Sequence, residues 1–227
     1  MTETSEHRFL ATPSSGDVSA ILARPPKARA LYVFAHGAGA GMRHAFMEAV
    51  AARLAAAGVA SFRYNFPFTE VGRGGPNPAP VLMKTVRSAV AEAARLAPGV
   101  PLFAGGKSMG GRMTSAASAA EPLPGVLGLA FFGFPLHAPG RASADRGAHL
   151  ADVRLPMLFL QGTHDKLADL DLLRPLLAGV RPAPSLHVVD DADHGFHVPK
   201  RSGRTDDDVL DELCGTFAAW SERVSRS

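Results

Sequence analysis

Short apolar segments alternate with longer alanine-rich segments along the whole chain. The apolar segments are too short for helices and indicate buried strands, whereas alanine favours helix in the segments between them. Strands that are apolar throughout and alternate with helices are typical of a parallel sheet that is covered on both faces. The pattern predicts a single α/β domain over residues 1–227, built as a three-layer αβα sandwich around a mostly parallel eight-stranded sheet.

The predicted strands cover residues 8–12, 18–23, 30–35, 59–64, 102–105, 126–132, 157–160 and 186–189. The predicted helices cover residues 44–57, 81–97, 109–120, 170–178 and 206–223, with Thr205 as the N-cap of the last. The segments 65–80 and 133–149 are rich in proline and glycine and are predicted loops. Because sites in such sheets form beyond the carboxyl ends of the strands, candidate chemistry is expected directly after each strand.

Composition and charge narrow the classes of protein. Hydrophobic residues make up 46% of the chain, enough for a large core. The net charge is +3, and the basic residues are scattered along the chain, without the dense basic patch that a nucleic-acid-binding surface needs. The first residues do not form a secretory signal, and we predict no membrane span. Cys214 is the single cysteine, so an intrachain disulfide is excluded and a reducing, cytoplasmic location is expected.

The segment FAGGKSMGGRM, residues 103–113, contains parts of two motifs that join a strand to a helix. A phosphate-binding loop needs a glycine five positions before Gly106, but Pro101 stands there and the residues between belong to the predicted strand. A nucleophile elbow needs Gly-x-Ser-x-Gly, which Gly106, Ser108 and Gly110 provide. The spacing therefore favours Ser108 as an activated nucleophile over a phosphate site.

A serine nucleophile needs a histidine base and an acid that orients it, in the chain order Ser, acid, His for this type of elbow. Asp165 follows the strand 157–160, and His194 follows the strand 186–189, so they are the predicted acid and base. His197 competes for the role of base. Three further carboxylates compete for the role of acid or form turns: Asp190, Asp191 and Asp193.

Transition-state charge at the reacting carbonyl needs backbone donors. Met109, directly after the nucleophile, is one predicted oxyanion donor. The loop HGAGAGM after the strand 30–35 supplies the other, with Ala38 as the best candidate and Gly37 close behind. The histidines lack metal-ligand spacing, so we predict no metal site, and the chemistry needs no cofactor.

These motifs together resemble the α/β-hydrolase superfamily over residues 7–224. FAHGAGAGM, FRYNFPF, FAGGKSMGGRM, LQGTHDKL and DADHGFH carry the resemblance. The chain is similar to the uncapped, dienelactone-hydrolase-like branch of this superfamily. Within that branch it is similar to a group of small hydrolases that includes relatives of a scaffold subunit of a histone-acetyltransferase complex. The resemblance implies the α/β-hydrolase fold and a Ser108–Asp165–His194 triad, although dienelactone hydrolases have a cysteine nucleophile and the group includes non-catalytic members.

The expected function is a serine hydrolase that cleaves carboxylic esters or thioesters of small molecules through an acyl-enzyme. The alternative is a non-catalytic interaction module of the same fold. Because only residues 133–156 separate the sixth and seventh predicted strands, no lid domain is expected. The predicted loops 65–80 and 133–149 should form the walls of the site. Phe66, Phe68 and Phe134 are candidates for an apolar substrate pocket or for the core. Lys107 either attracts an acidic substrate or pairs with a carboxylate.

Overall fold

The computed structural model describes residues 1–72 and 75–226. The strands are β1 (Glu3–Thr12), β2 (Gly16–Arg24), β3 (Ala30–Ala35), β4 (Val59–Tyr64), β5 (Leu102–Lys107), β6 (Val126–Phe132), β7 (Met157–Gly162) and β8 (Ser185–Val189). The helices are α1 (Ala45–Ala56), α2 (Pro67–Glu70), α3 (Ala79–Leu96), α4 (Met109–Ala120), α5 (Leu170–Ala178) and α6 (Asp206–Ser225). Two 3₁₀ segments cover Asp145–Asp152 and Lys200–Ser202.

The eight strands form one sheet in the order β1-β2-β4-β3-β5-β6-β7-β8. β2 pairs antiparallel with both β1 and β4, and every pair from β4 and β3 through to β8 is parallel. The predicted α/β class and the mostly parallel eight-stranded sheet are confirmed. The parallel strands bring their carboxyl ends to a single edge.

Two apolar clusters cover the two faces of the sheet. On one face α3, α4 and α5 pack over side chains such as Val33, Phe131 and Phe159. On the other face α1 and α6 pack over Tyr32 and Phe132, among others. Neighbouring residues of one strand point to opposite faces, which explains why the strands are apolar without alternation. The three layers predicted from the sequence are therefore present.

Helix α6 begins as its sequence predicts. The Thr205 hydroxyl accepts from the Asp208 N–H, and the Asp208 carboxylate accepts from the Thr205 N–H, which completes a capping box. Cys214 on this helix is buried, as expected for a small apolar side chain, and burial raises the pKa of its thiol to about 12. The thiol thus stays protonated at neutral pH.

The two predicted loops contain more regular structure than their composition suggests. The segment 65–80 includes the short helix α2, which begins at Pro67, because proline fits the first helical position. Helix α3 begins at Ala79, two residues earlier than predicted, with Pro80 in its first turn. Residues 73 and 74 of this predicted loop lie outside the described residues. The segment 133–149 runs into the 3₁₀ segment Asp145–Asp152.

Within the described ranges, none of the helices combines the length and apolar character that a membrane span requires. Between β6 and β7 the chain contains the single 3₁₀ segment Asp145–Asp152 and otherwise turns and irregular backbone. The edge of the sheet where the parallel strands end is therefore bordered by loops.

Candidate active site

Three predicted residues lie at the carboxyl ends of three strands. Ser108 directly follows β5, Asp165 follows β7, and His194 follows β8. Strands β5, β6, β7 and β8 are neighbours and run parallel, so these ends meet at one edge of the sheet. Residues far apart in the sequence are thereby brought side by side.

The three side chains form a continuous chain of hydrogen bonds. Ser108 Oγ lies 2.8 Å from His194 Nε2, and His194 Nδ1 lies 2.7 Å from Asp165 Oδ2. A carboxylate only accepts, so Nδ1 carries the imidazole proton and Nε2 is left to accept from the Ser108 hydroxyl. This is the tautomer that a general base beside a serine requires.

The competing histidine and two of the competing carboxylates have other partners. His197 is exposed, and its Nδ1 lies 2.8 Å from Asp206 Oδ2. The Asp193 carboxylate accepts from the N–H groups of Gly195 and His197, so it shapes the turn that carries His194. Asp191 faces His164 at the surface. Of the candidates weighed from the sequence, Asp165 and His194 are the ones placed at Ser108.

The backbone at Ser108 has the strained conformation that a nucleophile elbow requires. Its φ of 53° and ψ of −120° place a non-glycine residue at positive φ, at the start of α4. The elbow packs tightly against the end of β3: a Cβ at Gly106 or Gly110 would lie 2.4 or 2.5 Å from the Ala35 carbonyl oxygen. Glycine at both positions lets the loop after β3 approach the serine.

The predicted oxyanion donors lie beside Ser108. Met109 is the first residue of α4, where backbone N–H groups have no partner within the helix. A Cβ at Gly37 would lie 3.6 Å from the Ser108 Cβ, and Ala38 borders both cavities that open at Ser108. The loop after β3 and the first turn of α4 therefore both lie next to Ser108.

His36 fixes the loop that carries Gly37 and Ala38. Its Nδ1–H donates to the Gly37 carbonyl at 2.7 Å, and its Nε2 accepts from the Phe66 N–H at 3.1 Å. The ring is fully buried, and burial lowers the pKa of His36 to about 4. His36 is therefore a neutral structural imidazole that ties the loop to the start of α2.

The burial of His36 should make folding sensitive to acid. Between its ordinary pKa of 6.5 in the unfolded chain and about 4 in the folded protein, the unfolded chain binds more protons. Stability should therefore fall as the pH falls through this range, by about 2 kcal/mol at pH 5 from this group. Urea unfolding of the wild type and His36→Asn at pH 7 and pH 5 measures it. The variant should be less stable at pH 7 but show a smaller change with pH.

The control is His164→Asn, which removes a half-exposed imidazole on the loop after β7 and should leave the pH dependence close to that of the wild type. An equal pH dependence in the wild type and His36→Asn would contradict the assignment to His36.

Gln161 is a functional residue that the sequence analysis missed. It lies fully buried near the end of β7, and its Nε2 donates to Asp165 Oδ2 at 2.5 Å. Its Oε1 accepts from the Phe134 N–H at 3.0 Å, and Asp165 Oδ1 accepts from the Leu167 N–H at 2.8 Å. Every oxygen of the buried Asp165 carboxylate thus has a donor. The signal in the sequence was a glutamine within an otherwise apolar buried strand.

Replacing Gln161 with leucine should weaken the chain of hydrogen bonds without removing any of its three members. Asp165 would lose one donor and the Phe134 N–H its acceptor, so we expect kcat for an ester substrate to fall about tenfold with little change in KM. The matched control is Thr163→Val, because the Thr163 hydroxyl accepts from the Asp191 N–H and has no hydrogen bond to Ser108, Asp165 or His194. An unchanged kcat in Gln161→Leu would refute the positioning role.

Lys107 neither pairs directly with a carboxylate nor projects into solvent. Its Nζ donates to the His194 carbonyl at 2.5 Å and lies 5.7 and 5.3 Å from the ring centroids of Phe46 and Phe196. Burial lowers the pKa of Lys107 to about 8, although Asp165 and Asp193 favour its charged form. The Lys107 side chain therefore connects the turn that carries His194 to the end of β5, directly before Ser108.

Two cavities open at Ser108. One, of about 340 Å³, is bordered mainly by small and apolar residues such as Phe46 and Met47, together with His44 and Lys107, and we call it the apolar cavity. The other, of about 420 Å³, is bordered by residues of both predicted wall segments, by α3 and by α4. The reacting serine therefore lies where two differently lined spaces meet.

The predicted apolar pocket requires correction. Phe66, Phe68 and Phe134 belong to the core on the α3 and α4 face of the sheet, with at most 4% of each residue exposed, and line neither cavity at Ser108. Phe66 packs edge-on against His36, and Phe134 against Phe131. Burying a large ring under the sheet's own helices removes more apolar surface from water than lining an open cavity would. Phe46 and Met47, from α1, line the apolar cavity instead.

Comparison with known proteins agrees with this architecture. Residues 28–222 match the family model of the alpha/beta hydrolase domain. Similar solved structures include a dienelactone hydrolase from Anabaena variabilis, with 18% identity, 98% of each chain covered and a TM-score of 0.76. A lidless α/β serine hydrolase from Xanthomonas campestris has 21% identity, 97% of this chain and 96% of that chain covered, and a TM-score of 0.73.

The esterase domain of a Rhodothermus marinus protein is similar to the same extent, with 17% identity, 97% and 98% coverage and a TM-score of 0.73. At these identities the solved structures establish the fold.

Proposed function

We propose that this chain, which belongs to the alpha/beta hydrolase domain family, is a serine hydrolase that cleaves carboxylic esters or thioesters of small molecules. The observation that carries the proposal is the hydrogen-bonded series Ser108 Oγ, His194 Nε2, His194 Nδ1 and Asp165 Oδ2 at a strained strand-to-helix turn. A purely structural serine would need neither the strain nor the oriented base.

Attack begins with transfer of the Ser108 proton to His194. As Oγ bonds to the ester carbonyl carbon, Nε2 accepts the hydroxyl proton, and the Asp165 carboxylate stabilises the imidazolium through Nδ1–H. Asp165 is suited to this task because its side chain is fully buried and its oxygens are held by Gln161 and the Leu167 N–H. The imidazole therefore stays in the orientation the proton transfer needs.

The tetrahedral intermediate places negative charge on the former carbonyl oxygen. We assign its stabilisation to the N–H groups of Met109 and Ala38, with Gly37 as the neighbouring alternative. The Met109 N–H also lies at the positive end of the α4 dipole. Donors fixed in advance by the helix and by His36 need no rearrangement when the charge develops.

Collapse of the intermediate releases the alcohol or thiol. His194 returns the proton to the leaving group, and Ser108 retains the acyl group as an ester. Water then attacks this acyl-enzyme, with His194 again taking a proton and returning it to Ser108 Oγ. The products are the free acid and the regenerated serine, and no cofactor takes part.

Labelling with a fluorophosphonate tests the proposal directly, because this probe reacts with activated serines. We expect one label per folded chain, lost in Ser108→Ala and retained in Ser115→Ala, which removes a buried hydroxyl from α4. Absence of labelling in protein that circular dichroism shows to be folded would favour the non-catalytic interaction module.

A further inference from the structure

The second cavity at Ser108 is lined by two arginines, and we call it the arginine cavity. Arg112 lies on α4 and Arg146 at the start of the 3₁₀ segment Asp145–Asp152. The other lining residues, which include Ser108, Pro76 and Pro135, are uncharged. Among these described residues none is acidic, so the charged groups at this side of the serine are both positive.

Arg112 has no carboxylate partner among the residues that the structure describes. It is half-buried one helical turn after Ser108, and its Nε is buried without a hydrogen-bond partner among the described residues. Burial, and then the charge of Arg146, lower the pKa of Arg112. An uncompensated, partly buried cation destabilises a folded protein, so its presence beside a reactive serine calls for a ligand that balances it.

Arg146 is exposed, and its Nη1 donates to the His137 carbonyl at 3.0 Å. Neither Arg112 nor Arg146 forms an ion pair within the described chain, whereas arginines such as Arg53 and Arg95 do. The His137 contact leaves other N–H groups of the Arg146 guanidinium available. Two guanidinium groups of like charge, both short of acceptors, therefore border one cavity.

We propose that the arginine cavity binds an oxyanion group of the substrate, so that the preferred ester carries a carboxylate or a phosphate in addition to its reacting bond. This inference rests on the proposed serine hydrolase function and specifies its substrate class. Guanidinium groups bind both kinds of oxyanion through paired N–H donors. The charged group stays unchanged while water splits the ester into an acid and an alcohol.

The position of the cavity explains how the oxyanion would act. Ser108 borders both cavities, so a substrate whose charge is held by Arg112 and Arg146 presents its ester bond at the hydroxyl, and its uncharged part extends into the apolar cavity. Lys107 lines the apolar cavity and not the arginine cavity, so it does not border the space proposed for the oxyanion.

Matched esters test the inference. We would measure kcat/KM by pH-stat for phenyl acetate, 4-acetoxybenzoate and 4-acetoxyphenyl phosphate, which carry no charge, a carboxylate and a phosphate on the leaving group. Dimethyl adipate and monomethyl adipate place the charge on the acyl side. The carboxylate and phosphate members distinguish the two kinds of oxyanion, and the adipate pair identifies the side of the bond that enters the cavity.

Charge-removing variants complete the test. In Arg146→Gln and Arg112→Met, kcat/KM for at least one charged ester should fall about tenfold to a hundredfold, while that for its neutral counterpart changes less than threefold. Comparing the charged-to-neutral ratio between variant and wild type cancels each ester's intrinsic reactivity. Arg174→Gln removes an exposed arginine at a different cavity and should leave the ratio unchanged.

Equal loss for charged and neutral esters, or no loss for either, would overturn the oxyanion subsite while leaving the hydrolase function intact. Failure of the wild type to hydrolyse any ester and to react with fluorophosphonate would instead refute the hydrolase on which the subsite rests. Because Arg146 is exposed, its variant should fold even if Arg112→Met does not.

Discussion

Replacing Ser108 with alanine is expected to lower kcat for ester hydrolysis by about 10⁶-fold, the loss typical when a triad nucleophile is removed. Oγ supplies the atom that bonds to the carbonyl carbon, and the site offers no second hydroxyl within the chain that His194 and Asp165 form. The initial rate with p-nitrophenyl esters of increasing acyl length measures the effect and also indicates which acyl group the wild type prefers.

This variant should remain folded, because alanine keeps the same backbone conformation and removes one partly exposed hydroxyl. Its thermal unfolding midpoint should match that of the wild type within a few degrees. Residual activity within tenfold of the wild type, in protein freed of contaminating esterase, would mean that Ser108 is not the nucleophile.

The second large effect is expected for Asp165→Asn, which should lower kcat by about 10⁴-fold. The amide that replaces the carboxylate presents an N–H₂ group where His194 Nδ1–H now donates at 2.7 Å, or leaves the imidazolium without a compensating charge. The first outcome favours the tautomer with the proton on Nε2, which cannot accept from Ser108. The second makes proton transfer from Ser108 to Nε2 less favourable. KM should change little, because Asp165 is buried behind the histidine.

Asp169→Asn is the matched control for this change. Asp169 caps α5, where its carboxylate accepts from the Asp171 N–H, and it lies on the same loop as Asp165. Asparagine caps helices about as well as aspartate does, so the control should keep its stability to within a fraction of a kcal/mol and keep its kcat. If both variants lost activity equally, the effect would reflect the loop and not the acid.

Most of the fold could be read from local sequence because the physical signals were local. The apolar segments that form β3, β4 and β6 are followed directly by glycine or by a polar residue, which marks their ends in the sequence. The elbow at Ser108 was recognisable because its glycines are required by sterics: a side chain at Gly106 or Gly110 would clash with the backbone of β3.

Pairing between distant residues was harder to predict. The choice of His194 over His197 followed from distance to the strand, but the role of Gln161 depends on Phe134 and Asp165, which the sheet brings together. Phe66 and Phe134 were ambiguous because a ring after a strand can face the core or the site, and only the packing of helices over the sheet decides which.

The cationic character of one cavity was also beyond the sequence. Arg112 was visible within the elbow motif, but Arg146 belongs to a segment without periodicity, and nothing in the spacing brings the two toward one space. Their lack of acidic partners emerges only when the ion pairs of the whole described chain are compared.

The contact between Lys107 and the His194 carbonyl has a consequence for behaviour on heating. This hydrogen bond connects the turn that carries His194 to the central strand β5, so the turn should not unfold separately as the temperature rises. Loss of activity on heating is then expected to coincide with cooperative unfolding of the sheet. In enzymes whose active-site loops unfold locally, activity is lost at a lower temperature than the fold.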